Sequence, residues 1–128
     1  MADAFAGLDG VRVERRPTEV RLVFTSGLFR SSTELTATAR PVLAEVGRRL
    51  APLAVVTTVV GHTVAVPGGR TSGGSVVGYG RAEVATRELA AASGWSLAEF
   101  VLESAEQSDG PFPDARRNRT VTIRLRPV

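Results

Sequence analysis

A run of β-branched residues near the middle of the chain constrains the fold more than any other segment. Residues 54–60 read Ala-Val-Val-Thr-Thr-Val-Val, and Gly61 follows directly. Branching at Cβ favours an extended backbone. An apolar run without alternation is typical of a strand inside a sheet that is covered on at least one face. We therefore predict a central strand over 54–60 that Gly61 terminates.

Four other segments have the pattern of strands. Val11–Arg15 and Glu19–Phe24 alternate apolar and polar residues on either side of a proline, which predicts a hairpin-like pair. Phe100–Ser104 is a further short strand. Thr120–Leu125 alternates cleanly and predicts a last strand with Val, Ile and Leu on its inner face.

Two segments have apolar residues at helical spacing. The first covers 36–50, and we expect Thr36 to cap it. The second covers 79–92, or begins as early as Val76, and Gly94 is placed to end it. Between the second strand and the first helix, residues 27–35 are expected to form a turn and a loop.

The order strand, helix, strand, helix, strand, strand predicts an α+β fold, β-α-β-α-β-β. Two helices on one face of a mixed sheet give the simplest two-layer packing. A length of 128 residues fits one domain. We assign residues 19–128 to this domain and residues 1–18 to an N-terminal extension that contains at most one strand.

Composition narrows the classes of function. All 16 basic residues are Arg, they are scattered among 13 acids, and the net charge is +3. This distribution indicates solvated surface charge and not a nucleic-acid interface. Cysteine is absent, which excludes disulfides and thiolate metal ligands. The chain has no apolar run of the length that spans a membrane and no signal-peptide pattern at its start.

No residues with the pattern of an active site are recognisable. His62 is the single histidine, and no G-x-S-x-G elbow supplies a nucleophile. We expect His62 to order its loop through hydrogen bonds. The glycine-rich segment 68–74 lacks the lysine of a phosphate-binding loop. We therefore expect no enzyme activity, no cofactor and no metal.

Arg81 is the strongest candidate for a ligand contact. It lies in the first turns of the second helix, directly after the glycine-rich loop. A helix start is electropositive, and a guanidinium there suits a carboxylate through two parallel hydrogen bonds. The alternative is an exposed arginine that pairs with Glu88 within the helix, or with no group.

Four motifs in the right order resemble the OmpA-like (OmpA/MotB C-terminal) peptidoglycan-binding domain. They are the LF…S…ELT stretch of 28–36, the VVGHT of 59–63, the VGYGRA of 77–82 and the NRTV of 118–121. The resemblance covers 19–126. Pro67 and the long loop around it are more similar to the MotB and type VI secretion TssL branch. The α+β fold predicted above is then a two-layer OmpA-like fold.

The resemblance implies a ligand and a set of contacts. In this family an Asp after GHT binds the ammonium of diaminopimelate in the stem peptide, and the Arg of RA binds its carboxylate. Arg81 matches the Arg, but Val64 stands in place of the Asp. Gly78 and Thr120 replace a family Ser and Arg. The implied ligand-binding set is Thr63, Val64, Arg81, Asn118 and Arg119.

From this resemblance we expect a non-catalytic cell-envelope domain that associates with peptidoglycan, weakly because Val64 carries no charge. The alternative is a degenerate OmpA-like domain that binds an envelope protein in an envelope or secretion-type assembly. The expected location is extracytoplasmic, within a longer membrane-anchored protein, or cytoplasmic if the chain is complete. We expect no nucleic-acid partner.

Overall fold

The strand that residues 54–60 predict is β5, Val55–Gly61, and it lies inside the sheet. A computed structural model describes residues 1–63, 76–105, 111–112 and 116–128 of the chain. On one side of β5, β6 (Phe100–Ser104) runs parallel to it. On the other side, β7 (Val121–Pro127) runs antiparallel. The predicted interior position of this strand and the mixed character of the sheet are both confirmed.

The predicted N-terminal strand pair is also confirmed. β1 (Val11–Arg15) and β2 (Val20–Phe24) are antiparallel neighbours, and β2 pairs in turn with β7. Among the described residues the strand order is β1-β2-β7-β5-β6. Residues 1–18 therefore contribute an edge strand, preceded by a 3-10 helix at Ala2–Phe5 whose phenylalanine is fully buried.

The two predicted helices are α1, Ala39–Leu50, and α2, Val76–Ser93. α2 begins at the earlier of its two predicted starts, and Gly94 follows it with a φ of 78°, as a left-handed helix end requires. The expected cap at Thr36 was wrong. Its carbonyl accepts the Ala39 N–H at 3.1 Å in a preceding turn, and the N-cap is Thr38.

A small hairpin replaces the turn and loop that we expected over 27–35. It consists of β3 (Phe29–Ser31) and β4 (Glu34–Leu35), which pair antiparallel. Ser32, in the connection, has a φ of 36°, in the left-handed region. Strands of three and two residues are too short to show an alternating pattern, which is why the sequence did not reveal them.

The helices cover one face of the sheet. α1 and α2 pack against each other, and α2 lies on β5 and β6. Leu22, Val59 and Ile123 point from the strands into this layer, where they join Leu43 and Leu89 of the helices. The opposite face carries charged side chains on several strands together with apolar and hydroxyl side chains. The predicted two-layer α+β fold, with helices on one face, is therefore confirmed.

Some sequence predictions fall outside the described residues. Val64, Pro67 and the glycine-rich segment 68–74 do so entirely. Within the described ranges, neither helix has the length and apolar character that crossing a membrane would require.

Candidate functional site

Arg81 is buried, with 4% of its surface exposed. Its Nε donates a 2.6 Å hydrogen bond to the main-chain oxygen of Ser32. Its Nη1 donates a 2.8 Å hydrogen bond to the main-chain oxygen of His62. The guanidinium carbon also lies 5.5 Å from the centre of the Phe29 ring, within cation–π range. Together these contacts hold the guanidinium in one orientation.

The alternative environments that the sequence left open for Arg81 were wrong. It is not exposed, and Glu88 instead lies 3.4 Å from Arg40 of α1. Residues 81 and 88 are two helical turns apart, about 10 Å along the axis, which is beyond the reach of a direct pair in these rotamers.

Two glycines bring the end of β5 against the first turn of α2. A Cβ at Gly61 would lie 1.7 Å from the carbonyl oxygen of Gly78, so no larger residue fits there. This approach puts the carbonyl of His62 within reach of Arg81. A Cβ at Gly78 would lie 2.1 Å from the hydroxyl oxygen of Ser104. Ser104 thus fills the space that a serine at position 78 would need.

The β3–β4 hairpin supplies the other wall of the site. The left-handed φ of Ser32 sets the direction of its carbonyl, which accepts from Arg81. The Phe29 N–H donates to the carbonyl of Arg119 at 2.9 Å, which ties the hairpin to the segment before β7. Three separate elements therefore meet around a single guanidinium.

The electrostatics of the site favour an anion. No carboxylate in the described part of the chain pairs with Arg81. Burial lowers the pKa of the Arg81 guanidinium below its ordinary value, and the positive charge of Arg119 lowers it further. Arginine nevertheless stays protonated in proteins. A buried cation beside a second cation is stabilised by a bound anion, and a carboxylate matches the donors of the guanidinium.

A cavity of about 300 Å³ lies against the β3–β4 hairpin. Phe29 and Arg119 line it, together with Arg30 and Arg117. Arg119 also donates through Nη1 to the carbonyl of Arg30 at 3.0 Å. The structure therefore brings two members of the predicted set, Arg81 and Arg119, close enough for their charges to interact, and it places Arg119 in the wall of this cavity.

Two other predicted residues lie near these groups. Thr63 follows His62, is 7% exposed, and its hydroxyl has no hydrogen-bond partner among the described residues. Asn118 is buried, and its side-chain amide accepts from the N–H of Phe112 at 3.0 Å and donates to the carbonyl of Phe112 at 2.7 Å. In this structure Asn118 thus binds the main chain of Phe112 on both of its polar groups. Val64 lies outside the described residues.

The side chain of His62 lies on the opposite face of the sheet from its carbonyl. Its Nε2 is 2.9 Å from the hydroxyl of Thr122, and its N–H donates to the carbonyl of Thr120 at 2.9 Å. These contacts confirm that His62 orders its segment through hydrogen bonds. Thr120 is fully buried, and its hydroxyl donates to the carbonyl of Val121 at 3.2 Å. This short side chain makes no contact with Arg81.

A larger cavity, of about 510 Å³, lies on that opposite face. Three arginines line it, Arg16, Arg21 and Arg124, and each lies within 3.9 Å of a glutamate oxygen. Its charges are therefore already paired, unlike that of Arg81. Among the described residues no three His, Asp or Glu side chains come together as a metal site would need.

Two residues of the site were missed as functional residues. Phe29 and Ser32 belong to the motif that carries the family resemblance, but their roles around Arg81 were not predicted. The contribution of Ser32 is its main-chain carbonyl, which leaves no signature in side-chain chemistry. The pair Leu28-Phe29, apolar at a turn, is the one signal that could have pointed to a buried ring there.

Comparison with known proteins gives matches of structure only. No profile of a known protein family matches the chain, and no curated protein does. A MotB-like protein from Desulfovibrio vulgaris matches with a TM-score of 0.77 and 21% identity, over 99% of this chain and 89% of its own. The cell wall anchor of the T6SS from Pseudomonas aeruginosa matches with a TM-score of 0.72 and 19% identity, over 99% of this chain and 96% of its own. The OmpA-like domain of FopA1 from Francisella tularensis matches with a TM-score of 0.58 and 12% identity, over 90% of this chain and 77% of its own.

These matches span almost the whole chain and agree on one architecture. The chain has the OmpA/MotB-type fold, as the four sequence motifs indicated. At 12–21% identity the similarity establishes the fold, and the function has to be argued from the site itself.

Proposed function

We propose that this chain is a non-catalytic cell-envelope domain that binds the stem peptide of peptidoglycan through a carboxylate held by Arg81. The observation that carries the proposal is the burial of this guanidinium with no carboxylate partner in the described part of the chain. A fixed guanidinium next to Arg119 is a suitable receptor for one carboxylate. The fold supports the same conclusion, because its solved examples include a protein described as a cell wall anchor.

We further propose that the binding is weak. The position at which the resembled family carries an Asp is Val64 here, so a ligand ammonium would meet no charge from that residue. A charge-assisted hydrogen bond contributes about 1.5–3 kcal/mol. Its absence corresponds to a loss of about 10- to 100-fold in affinity. Arg119 adds a further positive charge that an ammonium has to tolerate.

The proposed location is the cell envelope outside the cytoplasm, as part of a longer anchored protein. The matched structures support this, since four of them are described as periplasmic domains of MotB and one as a cell wall anchor. The proposed division of the chain places the OmpA-like domain at 19–128. Its N-terminal extension, residues 1–18, pairs with the sheet through β1.

The test is sedimentation of the purified chain with isolated sacculi that contain diaminopimelate. We expect a small bound fraction for the wild type, a larger one for Val64→Asp, and none for Arg81→Gln. Arg87→Gln is the matched control, because Arg87 lies on the same helix but is exposed and paired with Glu83 at 2.8 Å. It should bind as the wild type does.

Two outcomes contradict the proposal. Equal sedimentation of the wild type and Arg81→Gln, with both proteins folded, would show that Arg81 does not bind the ligand carboxylate. Tight wild-type binding that Val64→Asp does not improve would show that the missing carboxylate is unimportant.

A second candidate function is that of a degenerate domain that binds an envelope protein. The observation in its favour is apolar exposure at the start of α2, where Val76 is 90% and Tyr79 53% exposed. The sedimentation assay separates the two functions. If neither the wild type nor Val64→Asp binds sacculi, the interaction module is favoured.

A further inference from the structure

The cavity of about 300 Å³ against the β3–β4 hairpin has more positive charge than its own residues neutralise. Arg30, one of its three lining arginines, is paired with Glu34 at 3.3 Å. Arg117 and Arg119 form no ion pair within the described ranges. The guanidinium of Arg117 lies 5.5 Å from the centre of the Phe112 ring, and Arg119 donates to a main-chain carbonyl. Neither contact neutralises a charge.

The cavity and the surroundings of Arg81 share one residue, Phe29. One side chain, the Phe29 ring, lines the cavity and also lies 5.5 Å from the guanidinium carbon of Arg81. The main-chain N–H of Phe29 donates to the carbonyl of Arg119, so the backbones of these two residues are held together. The two guanidinium groups are also close enough for the charge of Arg119 to lower the pKa of Arg81.

The chemistry of the remaining lining fits an oxyanion. Thr25 and Ser26 bring hydroxyl groups, which can donate to carboxylate oxygens, and Gly27 leaves the cavity open at that point. Arginines whose charges are not paired, with hydroxyl donors around them, are the usual composition of a carboxylate subsite in proteins.

We propose that this cavity is a second carboxylate subsite, in which Arg117 and Arg119 bind a second acidic group of the same ligand that Arg81 holds. This inference rests on the proposed function, because it assumes that Arg81 receives the first carboxylate. It defines the ligand class as a stem peptide in which the glutamate residue before diaminopimelate has a free α-carboxylate, which is the second acidic group. A ligand whose second carboxyl group is amidated loses this contact.

The experiment compares two synthetic tripeptides, L-Ala-γ-D-Glu-meso-diaminopimelate and its analogue with the glutamate α-carboxyl group amidated. The two differ by one charge and nearly nothing in shape. Affinity is measured by calorimetry at low salt, where charge contacts contribute most. We expect the free acid to bind about fivefold more tightly than the amide.

Variants assign the difference to the cavity. Arg119→Gln and Arg117→Gln should each reduce the preference for the free acid to less than about twofold. Arg117 is exposed, so its variant tests the subsite even if Arg119→Gln unfolds. Arg87→Gln, an exposed arginine on the same helix as Arg81, should keep the full preference.

Each outcome decides a different statement. Equal affinity of the wild type for acid and amide overturns the second subsite and leaves the proposed function intact. A preference that survives in both Arg117→Gln and Arg119→Gln also overturns it. If neither tripeptide binds the wild type or Val64→Asp, the proposed function fails and this inference fails with it.

Discussion

The guanidinium of Arg81 donates a 2.8 Å hydrogen bond to the main-chain oxygen of His62, directly after β5. A second bond, to the oxygen of Ser32, and the Phe29 ring complete its surroundings. The protein therefore satisfies this cation with dipoles and with a π face, and leaves its charge to be balanced by a bound anion. Under the proposed function, binding and stability depend on the same side chain.

Arg81→Ala should destabilise the fold. It leaves the buried carbonyls of Ser32 and His62 without their donor, at a cost of about 1–3 kcal/mol for each unsatisfied group. We expect a total loss of about 2–4 kcal/mol in the free energy of unfolding, measured with urea. Arg87→Ala, which removes an exposed pair, should change it by less than about 0.5 kcal/mol. Similar losses in the two variants would contradict the assigned contacts.

Gly61→Ala should destabilise the fold far more than Gly80→Ala. At position 61 the new Cβ would meet the carbonyl oxygen of Gly78 at 1.7 Å, and two backbones cannot separate without moving α2 off the sheet. At position 80 it would meet the end of the Thr33 side chain at 2.7 Å, which can rotate away. Thermal unfolding should show a large fall in Tm for the first variant and a small change for the second. Equal Tm values would mean that β5 and α2 are not in contact here.

Phe5→Ala should destabilise the domain although residue 5 lies near the N-terminus. Phe5 is fully buried in the core, and Arg49 of α1 donates to the carbonyls of Ala4 and Ala6 on either side of it. Removing a buried phenylalanine side chain costs about 3–5 kcal/mol. Urea unfolding measures this loss, with Met1→Ala as the control. A cost below about 1 kcal/mol would show that the N-terminal segment does not pack on the core in solution.

Glu14 should contribute to a loss of stability in acid. Burial raises the pKa of its carboxyl group, but hydrogen bonds from Arg12 and Arg16 outweigh this, so the pKa lies below the ordinary value of 4.5. A depressed folded-state pKa gives stability that is present above the unfolded pKa and is lost as the pH falls through the folded value. Unfolding at pH 7 and at about pH 3 should therefore show a smaller acid effect in Glu14→Gln than in the wild type. An identical loss of stability between the two pH values in Glu14→Gln and in the wild type would contradict this role of Glu14.

Most of the architecture could be predicted from residue patterns, and the reasons are local. The β-branched run around Val59 and the alternation of Val121–Leu125 reflect burial on defined faces, and Gly94 reflects a left-handed helix end. The start of α1 and the small hairpin were predicted wrongly or missed. Their geometry depends on single hydrogen bonds, such as that from Ala39 to Thr36, which no residue pattern encodes.

The candidate site was predictable only in part for a different reason. Arg81 could be singled out because its residue type and its place near a helix start point to an anion. Its burial and its partners could not, because they come from main-chain carbonyls at Ser32 and His62 that are distant in sequence. The proximity of Arg119 likewise follows from the hydrogen bond between the hairpin and the segment before β7, and not from spacing along the chain.

The central claim is that Arg81 holds a ligand carboxylate and that Val64 deprives the neighbouring ammonium of its partner. It is tested most directly by calorimetry of the diaminopimelate tripeptide with four proteins: wild type, Val64→Asp, Arg81→Gln and the double variant. We predict that Val64→Asp raises affinity about tenfold or more in the wild-type background and has little effect beside Arg81→Gln. An equal gain in both backgrounds, or no gain in either, would contradict the claim.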